Sequence, residues 1–356
     1  MDVLKVINTV QINSSGYNIV KTFIPRGFME RISMAVGGGG ASTQSFISDV
    51  IFSGLGGQLL KKAADAAIIE TGSLSAFTTD SFVVRPEFFP GGDIGKIAVC
   101  GTVNDLLVSG AVPLYLSFGL VIPDGYLMDD LKRVIKSMAL TCEKAGVRIV
   151  CGDTKVVEHG ALDGLIINTS GIGRAEKNYT EYGNIHTGDR VIVTSDTARH
   201  GMSVMLARGG LGFEGEIMSD CAPLNDIFDA VRPYDVSFAR DATRGGIAAV
   251  LNEISAMSGH GFLMDEENIP LEDNVRYMCD MLGFDPLAVA NEGLAVIIVR
   301  EKDAGKALEM IKKTENGKNA QIAGVVTDEK KVLLRTAIGG KRFIEMPQGE
   351  LLPRIC

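Results

Sequence analysis

From Val36 onward the chain alternates short β-branched runs with segments of helical period, and glycine-rich turns separate them. Strand–helix alternation of this kind restricts a chain to α/β or α+β layers, because each sheet face and each helix stripe must be buried against the other. Ala76 to Val84 reads as a strand, Ile94 to Ser109 as a helix and Leu114 to Val121 as a strand. Asp129 to Ala145 carries Leu131, Val134, Ile135, Met138 and Cys142 at helical spacing, and Arg148 to Cys151 and Leu165 to Ile172 complete a first half. Gly, Asn, Tyr and charged residues cluster around Arg174 to Gly188 and mark a break. A second half opens with Val191 to Thr194. It adds helices near Met202 to Arg208, Ile247 to Met257 and Ala304 to Thr314, and a strand near Ala295 to Val299. The expectation is two domains with a cleft between them. Before Val36, residues 1–33 lack a helical period, and Asn13-Ser14-Ser15-Gly16 reads as a turn, so this segment is an appended piece in the form of a short hairpin.

A length of 356 residues, 46% hydrophobic and 22% charged, suffices for two ordinary cores. The most apolar stretch, Val99 to Pro123, is interrupted by Asn104, Asp105 and Pro113. A membrane helix needs roughly 20 apolar residues in a row, so no span is expected. A net charge of −9 without a basic patch argues against a nucleic-acid partner. The cysteines at 100, 142, 151, 221, 279 and 356 form no CxxC, and no histidine has metal-site spacing, so reduced thiols in the cytoplasm are expected. His159, His186, His200 and His260 all read as loop residues, and no GxSxG elbow occurs.

Acidic residues beside Gly, Thr or Asn recur at the expected strand ends: Asp80, Asp105, Asp153 and Asp241. Each alone reads as a turn or cap residue, with Asp241 able to cap the helix after Arg244. As a set they offer the hard oxygen ligands that Mg²⁺ on nucleotide phosphates requires. Gly91-Gly92-Asp93-Ile94-Gly95-Lys96 reads as a helix N-terminus open to an anion but is not a Walker A loop. Gly37 to Gly40, before an expected helix Gln44 to Phe52, and Arg244-Gly245-Gly246 make the same offer. Unaided, Lys155 reads as a surface residue and Glu292 as a turn residue; beside a nucleotide they could stabilise charge or move a proton. The chain ends in Pro353-Arg354-Ile355-Cys356, on a tail broken by Pro347 and Pro353, so Cys356 could enter a pocket as the end of a swinging arm.

These segments together closely resemble the HypE family of hydrogenase maturation factors, within the PurM-like (aminoimidazole ribonucleotide synthetase) superfamily. The resemblance rests on Thr78 to Val84, Phe88 to Lys96, Cys100 to Asp105, Gly152 to Val157, Ser219 to Ala222, Arg240 to Gly246, Asn291 to Gly293 and the tail Pro353 to Cys356. It runs from about Met34 to Cys356. Two departures stand out: Val36 occupies the place of a family histidine before the glycine run, and the N-terminal segment is longer than the family's.

The resemblance implies a two-domain PurM-like fold. An ATP-binding and dimerisation domain would span 34–175, a second α+β domain 176–345, and a mobile tail 346–356. It implies ATP-dependent dehydration of a carbamoyl group on Cys356, with Lys155 and Glu292 beside the inserted tail. Gly38, Gly39, Asp80, Asp93, Lys96, Asn104, Asp105, Asp153, Asp241 and Arg244 would be the ATP-site residues, and Asp80, Asp105, Asp153 and Asp241 the Mg²⁺ ligands. The implied partners are the carbamoyltransferase HypF, an iron-carrying HypC–HypD complex and a second copy of the chain. A non-catalytic carrier and another PurM-like enzyme, such as a small-molecule kinase, are the alternatives. Selenophosphate synthesis would want a reactive cysteine near the N-terminal glycine run, and none occurs before Cys100.

Overall fold

The computed structural model describes residues 5–13, 16–24, 40–46, 67–70, 74–158, 160–209 and 215–348. Gly38, Gly39, Val36 and the Cys356 tail therefore lie outside the described residues. At the N-terminus, β1 (Lys5–Asn13) and β2 (Gly16–Ile24) pair antiparallel, Asn13 opposite Gly16, as the turn at 13–16 predicts. A short helix, α1 (Gly40–Phe46), follows the glycine run and begins earlier than the expected Gln44; residues 47–52 of that expectation lie outside the described residues.

The first domain is a five-stranded sheet. It is built from β3 (Ala67–Glu70), β4 (Leu74–Phe82), β7 (Ala111–Pro123), β8 (Arg148–Val157) and β9 (Ile166–Ala175) in the order β3-β4-β9-β7-β8. A two-residue ladder, β5 (Phe88–Phe89) with β6 (Gly92–Asp93), leads into α2 (Ile94–Val108). Asp93 caps that helix, its Oδ1 accepting from the Gly95 and Lys96 amides at 2.8 and 3.0 Å. Apolar residues surround α2 on nearly every side because it is sandwiched between the sheet and α3 (Met128–Ala145). In turn α3 supplies the crossover that lets β8 lie parallel to β7, and it ends at Gly146 in the left-handed conformation (φ +67°).

The second domain is a seven-stranded sheet with the order β11-β13-β10-β14-β12-β15-β16. Its strands are β10 (Arg190–Val193), β11 (Val236–Asp241), β12 (Gly261–Asp265), β13 (Ala295–Val299), β14 (Gln321–Thr327), β15 (Val332–Arg335) and β16 (Lys341–Phe343). Its helices are α4 (Arg199–Ala207), α5 (Asn225–Val231), α6 (Gly246–Ser258), α7 (Asp273–Leu282) and α8 (Glu301–Ile311). Every residue of β13 is buried, as its run Ala-Val-Ile-Ile-Val requires of a central strand covered on both faces. One apolar cluster joins the domains, with Ile97, Val99 and Val103 of α2 in the same cluster as Leu224 and Ile297. Among the described residues no helix is long and apolar enough to cross a membrane.

Two local expectations are corrected. Asp241 does not cap the helix after Arg244: it closes β11, and the cap position falls to Gly245 at φ +71° with no side-chain bond. His200 is not a loop residue. It lies in the first turn of α4, fully buried, with Nδ1 2.9 Å from Ser219 Oγ, because the loop before α5 folds back over that helix. His186 and His260 do sit in loops.

Candidate active site

Register divides the predicted site residues between two faces of the first sheet. Asp80 alternates with Ala76, Thr78 and Phe82, all facing α2. Thr78 Oγ1 donates to Asp105 Oδ2 at 2.7 Å, and Asp105 shares a side-chain hydrogen bond with Asp80. Burial raises the Asp80 pKa, while nearby Arg244 and the Asp105 bond oppose the rise. Asp153 pairs with Gly119, which pairs with Asn168, which pairs with Ser81. In-register neighbours share a face, so Asp153 and Lys155 look out from the helix-free side, three strand spacings (about 14 Å) from β4. Both are exposed. Within one chain the fold thus brings Asp80, Asp105, Asp241, Arg244 and Glu292 toward one cleft and leaves Asp153 and Lys155 outside it.

Glu292 is the best-fixed member of the group. It belongs to the turn Asn291-Glu292-Gly293 just before β13 and is 3% exposed. Its amide donates to Asp220 Oδ1 at 3.2 Å, the Gly293 amide donates to Asp220 Oδ2 at 3.1 Å, and its carbonyl accepts from Asn104 Nδ2 at 3.3 Å. Asn291 locks the preceding residue: Oδ1 accepts from the Ala198 amide at 2.7 Å, and Nδ2 donates to Ala242 and Val289 carbonyls, each at 3.1 Å. Only glycine fits after Glu292, since a Cβ on Gly293 would lie 1.9 Å from the Asp220 carbonyl oxygen. Glu292 Oε2 is buried without a hydrogen-bond partner. Burial pushes the Glu292 pKa far up, and Cys221, Asp241, Asp220 and Asp80 push in the same direction.

Asn104 spends its side chain across the domain boundary. Nδ2 also donates to the Ala222 carbonyl at 3.1 Å, and Oδ1 accepts from the Leu224 amide at 2.9 Å. Asp93 is occupied as a cap, and Lys96 donates to the Gly91 carbonyl at 2.7 Å. Both line a cavity of about 480 Å³ with Arg133, Lys136 and Lys144. At the other side of the cleft the chain end approaches two glycines. A Cβ on Gly40 (φ +74°) would sit 1.8 Å from the Pro347 carbonyl oxygen, and one on Gly245 would sit 3.6 Å from Pro347 Cγ.

Sequence reasoning gave no role to Asp220, Asn291 or His200. Asp220 was visible only as part of Ser219-Asp220-Cys221-Ala222. Its signal was a carboxylate in a polar run without strand or helix period, which by itself does not distinguish a solvated loop from a buried anchor. Among the described residues no three His, Cys, Asp or Glu side chains converge as a ready metal site.

The chain matches the family described as AIR synthase related protein, N-terminal domain, over residues 63–175. The corresponding C-terminal domain matches over 186–335. Two such domains around a carboxylate-lined cleft define a PurM-like enzyme. The carbamoyl dehydratase HypE of Rhodobacter capsulatus is 44% identical over 335 residues, 92% of this chain and 98% of that one. A crystal structure of a HypE–HypF complex superposes with a TM-score of 0.82 at 44% identity, covering 85% of this chain and 100% of that one. A HypE structure in complex with ATP gives a TM-score of 0.77 at 38% identity, covering 90% and 98%. The chain belongs to the HypE family of carbamoyl dehydratases.

Proposed function

We propose that the protein removes water, at the expense of ATP, from a carbamoyl group carried on Cys356. The resulting S-cyanate would supply the cyanide ligand of a [NiFe]-hydrogenase iron centre. The observation that carries this reading is Glu292: a buried carboxyl whose backbone is pinned on both sides and whose Oε2 has no partner. A group of that kind is held ready for a reacting atom. The approach of Pro347 to Gly40 and Gly245 supports delivery by the tail, because nine residues follow Pro347 and span about 30 Å when extended.

The thiocarboxamide oxygen is a poor leaving group. Its attack on the γ-phosphorus of ATP makes a C–O–P bond and releases ADP. Two protons leave the carbamoyl nitrogen: solvent takes the first as O-phosphorylation makes an imidate, Glu292 takes the second as the C–O bond breaks with loss of phosphate, and S–C≡N remains on Cys356. Glu292 acts as acceptor or relay, and Lys155 as the cation that stabilises the developing phosphate charge. Mg²⁺ fits the donor set, because a divalent ion on nucleotide phosphates takes only one or two carboxylates and keeps its waters. One or two of Asp80, Asp105 and Asp241 would hold it, and it would offset the charge of the phosphates. Arg244, with the backbone of Gly245 and of the Gly38–Gly39 run, would face the same phosphates.

Asp153 and Lys155 can join such a site only from another copy. The helix-free face also exposes Phe77, and the edge strand exposes Val150 and Val156, which suits a homodimer packed through these sheets. HypF would load the carbamoyl group, a HypC–HypD complex would accept the cyanide, and both steps would take place in the cytoplasm. The test is the intact mass of the full-length protein after carbamoylation by HypF, before and after Mg-ATP. Gain of one carbamoyl group on Cys356 followed by ATP-dependent loss of one water is the expected result. Carbamoylation with no loss of water would leave a carrier, and no modification with an active partner would overturn the arm.

A further inference from the structure

Beyond the residues expected to meet substrate, we propose that Asp220 is a positioning residue that sets the aim of the Glu292 carboxyl by gripping its turn through two backbone amides. The inference rests on the reading of Glu292 given above. Each main-chain polar group of Glu292 has a side-chain partner far away in sequence: its N–H goes to Asp220, 72 positions back, and its C=O to Asn104, 188 positions back. Asp220 holds the next amide as well, with its second oxygen. Two amides on the two oxygens of one carboxylate fix the plane of the peptide between them, not merely its distance.

The carboxylate is itself anchored. Asp220 is 8% exposed, and Arg199 lies within electrostatic reach of it. Its neighbour Ser219 is tied to Pro90 through the backbone at 2.9 Å and to His200 through the hydroxyl, and the Cys221 amide donates to Ser219 Oγ at 3.1 Å. The loop that carries Asp220 is therefore fastened to both domains before it touches the turn. What stays unfastened is the Glu292 carboxyl end, and catalytic groups work best when everything behind them is fixed in this way.

A merely structural Asp220 and a positioning Asp220 differ in which kinetic quantity they move. Asp220→Asn keeps the size but offers one oxygen and an NH₂, so one of the two amides loses its acceptor. Gly293→Ala attacks the same contact from the other side by forcing its Cβ onto the Asp220 backbone. The experiment measures ATP-dependent water loss from HypF-carbamoylated, full-length protein for the parent, Asp220→Asn, Gly293→Ala, Glu292→Gln and the Asp220→Asn/Glu292→Gln double variant. Asp220→Asn and Gly293→Ala should each lower kcat by at least tenfold. KM for ATP should stay within about twofold and the extent of Cys356 carbamoylation should not change. In the Glu292→Gln background, Asp220→Asn should cost little more, because the group being aimed is already gone.

An unchanged kcat in Asp220→Asn, or losses that multiply in the double variant, would overturn the proposal. So would a loss confined to KM. Should one single variant fail to fold, the other reads the same contact. Full activity in Glu292→Gln would instead sink the role of Glu292 itself, a result distinguishable from failure of the Asp220 grip.

Discussion

Replacing Asp220 by asparagine should make the folded protein progressively more stable, relative to the parent, as pH rises from 4 to 6. Burial raises the Asp220 pKa from its ordinary 3.8 to about 6, against the opposing pull of the Glu292 and Gly293 amides and of Arg199. A carboxyl whose pKa is higher folded than unfolded binds its proton more tightly in the folded state. Its contribution to stability is therefore full below pH 4 and is lost as pH climbs through about 6. A shift of about two pKa units corresponds to about 3 kcal/mol, with a slope of up to about 1.4 kcal/mol per pH unit inside the window. Asparagine does not titrate, so that loss disappears. Its own defect, one amide left without an acceptor, costs about 1–3 kcal/mol at every pH. The stability difference between variant and parent, from urea unfolding at half-unit pH steps, should move by about 3 kcal/mol toward the variant between pH 4 and pH 6.5. At pH 7 the two effects nearly cancel or leave the variant slightly ahead, although its turnover has fallen. A difference that stays flat across the window would refute the reasoning, because it would mean that burying this anion costs nothing.

Four further outcomes follow from the same geometry. Glu292→Gln should reduce ATP-dependent water loss by about 10²–10⁴-fold, the usual worth of a positioned acid or base, while mass spectrometry still detects carbamoyl on Cys356. The same variant should gain heat stability over the parent as pH rises above 4.5, since the raised Glu292 pKa makes the parent lose stability in that direction; equal melting temperatures at pH 5 and pH 8 would contradict this. Gly40→Ala should displace the chain end, because its Cβ overlaps the Pro347 carbonyl, and should speed proteolytic clipping near 347 without weakening ATP binding. Ile297→Ala, in the fully buried β13, should lower stability by about 2–5 kcal/mol in urea unfolding, and a loss under 1 kcal/mol would show that the strand is not central.

Much of the fold was legible where local chemistry decides it. The Asp93 cap, the 13–16 turn, the helical period of α3 and the apolar run of β13 are each settled within a few residues. The strands β11, β12, β14, β15 and β16 were not legible. Their polar and apolar residues follow the demands of neighbours on either side in a seven-stranded sheet, and β14, for instance, is set by β10 and β12. The candidate site divides the same way. Asp80, Asp105 and Asp241 announce themselves by composition, but composition carries no register. Register is what places Asp153 and Lys155 on the opposite face from Asp80. Glu292, a turn residue by its neighbours, is buried because Asn104 of α2 and the loop carrying Asp220 close over it.

That last point bears on how the two domains can move. Asn104 makes three hydrogen bonds to the second domain, and one of them is to the Glu292 carbonyl. A rotation large enough to part the domains at this seam would break these bonds before it disturbed either sheet. It would also release one of the two fixings behind Glu292. The Glu292 turn therefore holds its full set of contacts only while the seam is closed, since its position is defined by both domains. Asp220, in the second domain, keeps its own grip on the turn through any such movement. The two fixings thus divide the work: Asp220 shapes the turn, and Asn104 ties the shaped turn to the domain that carries Asp80 and Asp105. A carboxyl left alone on either domain would keep its chemistry but lose its aim at the cleft between them.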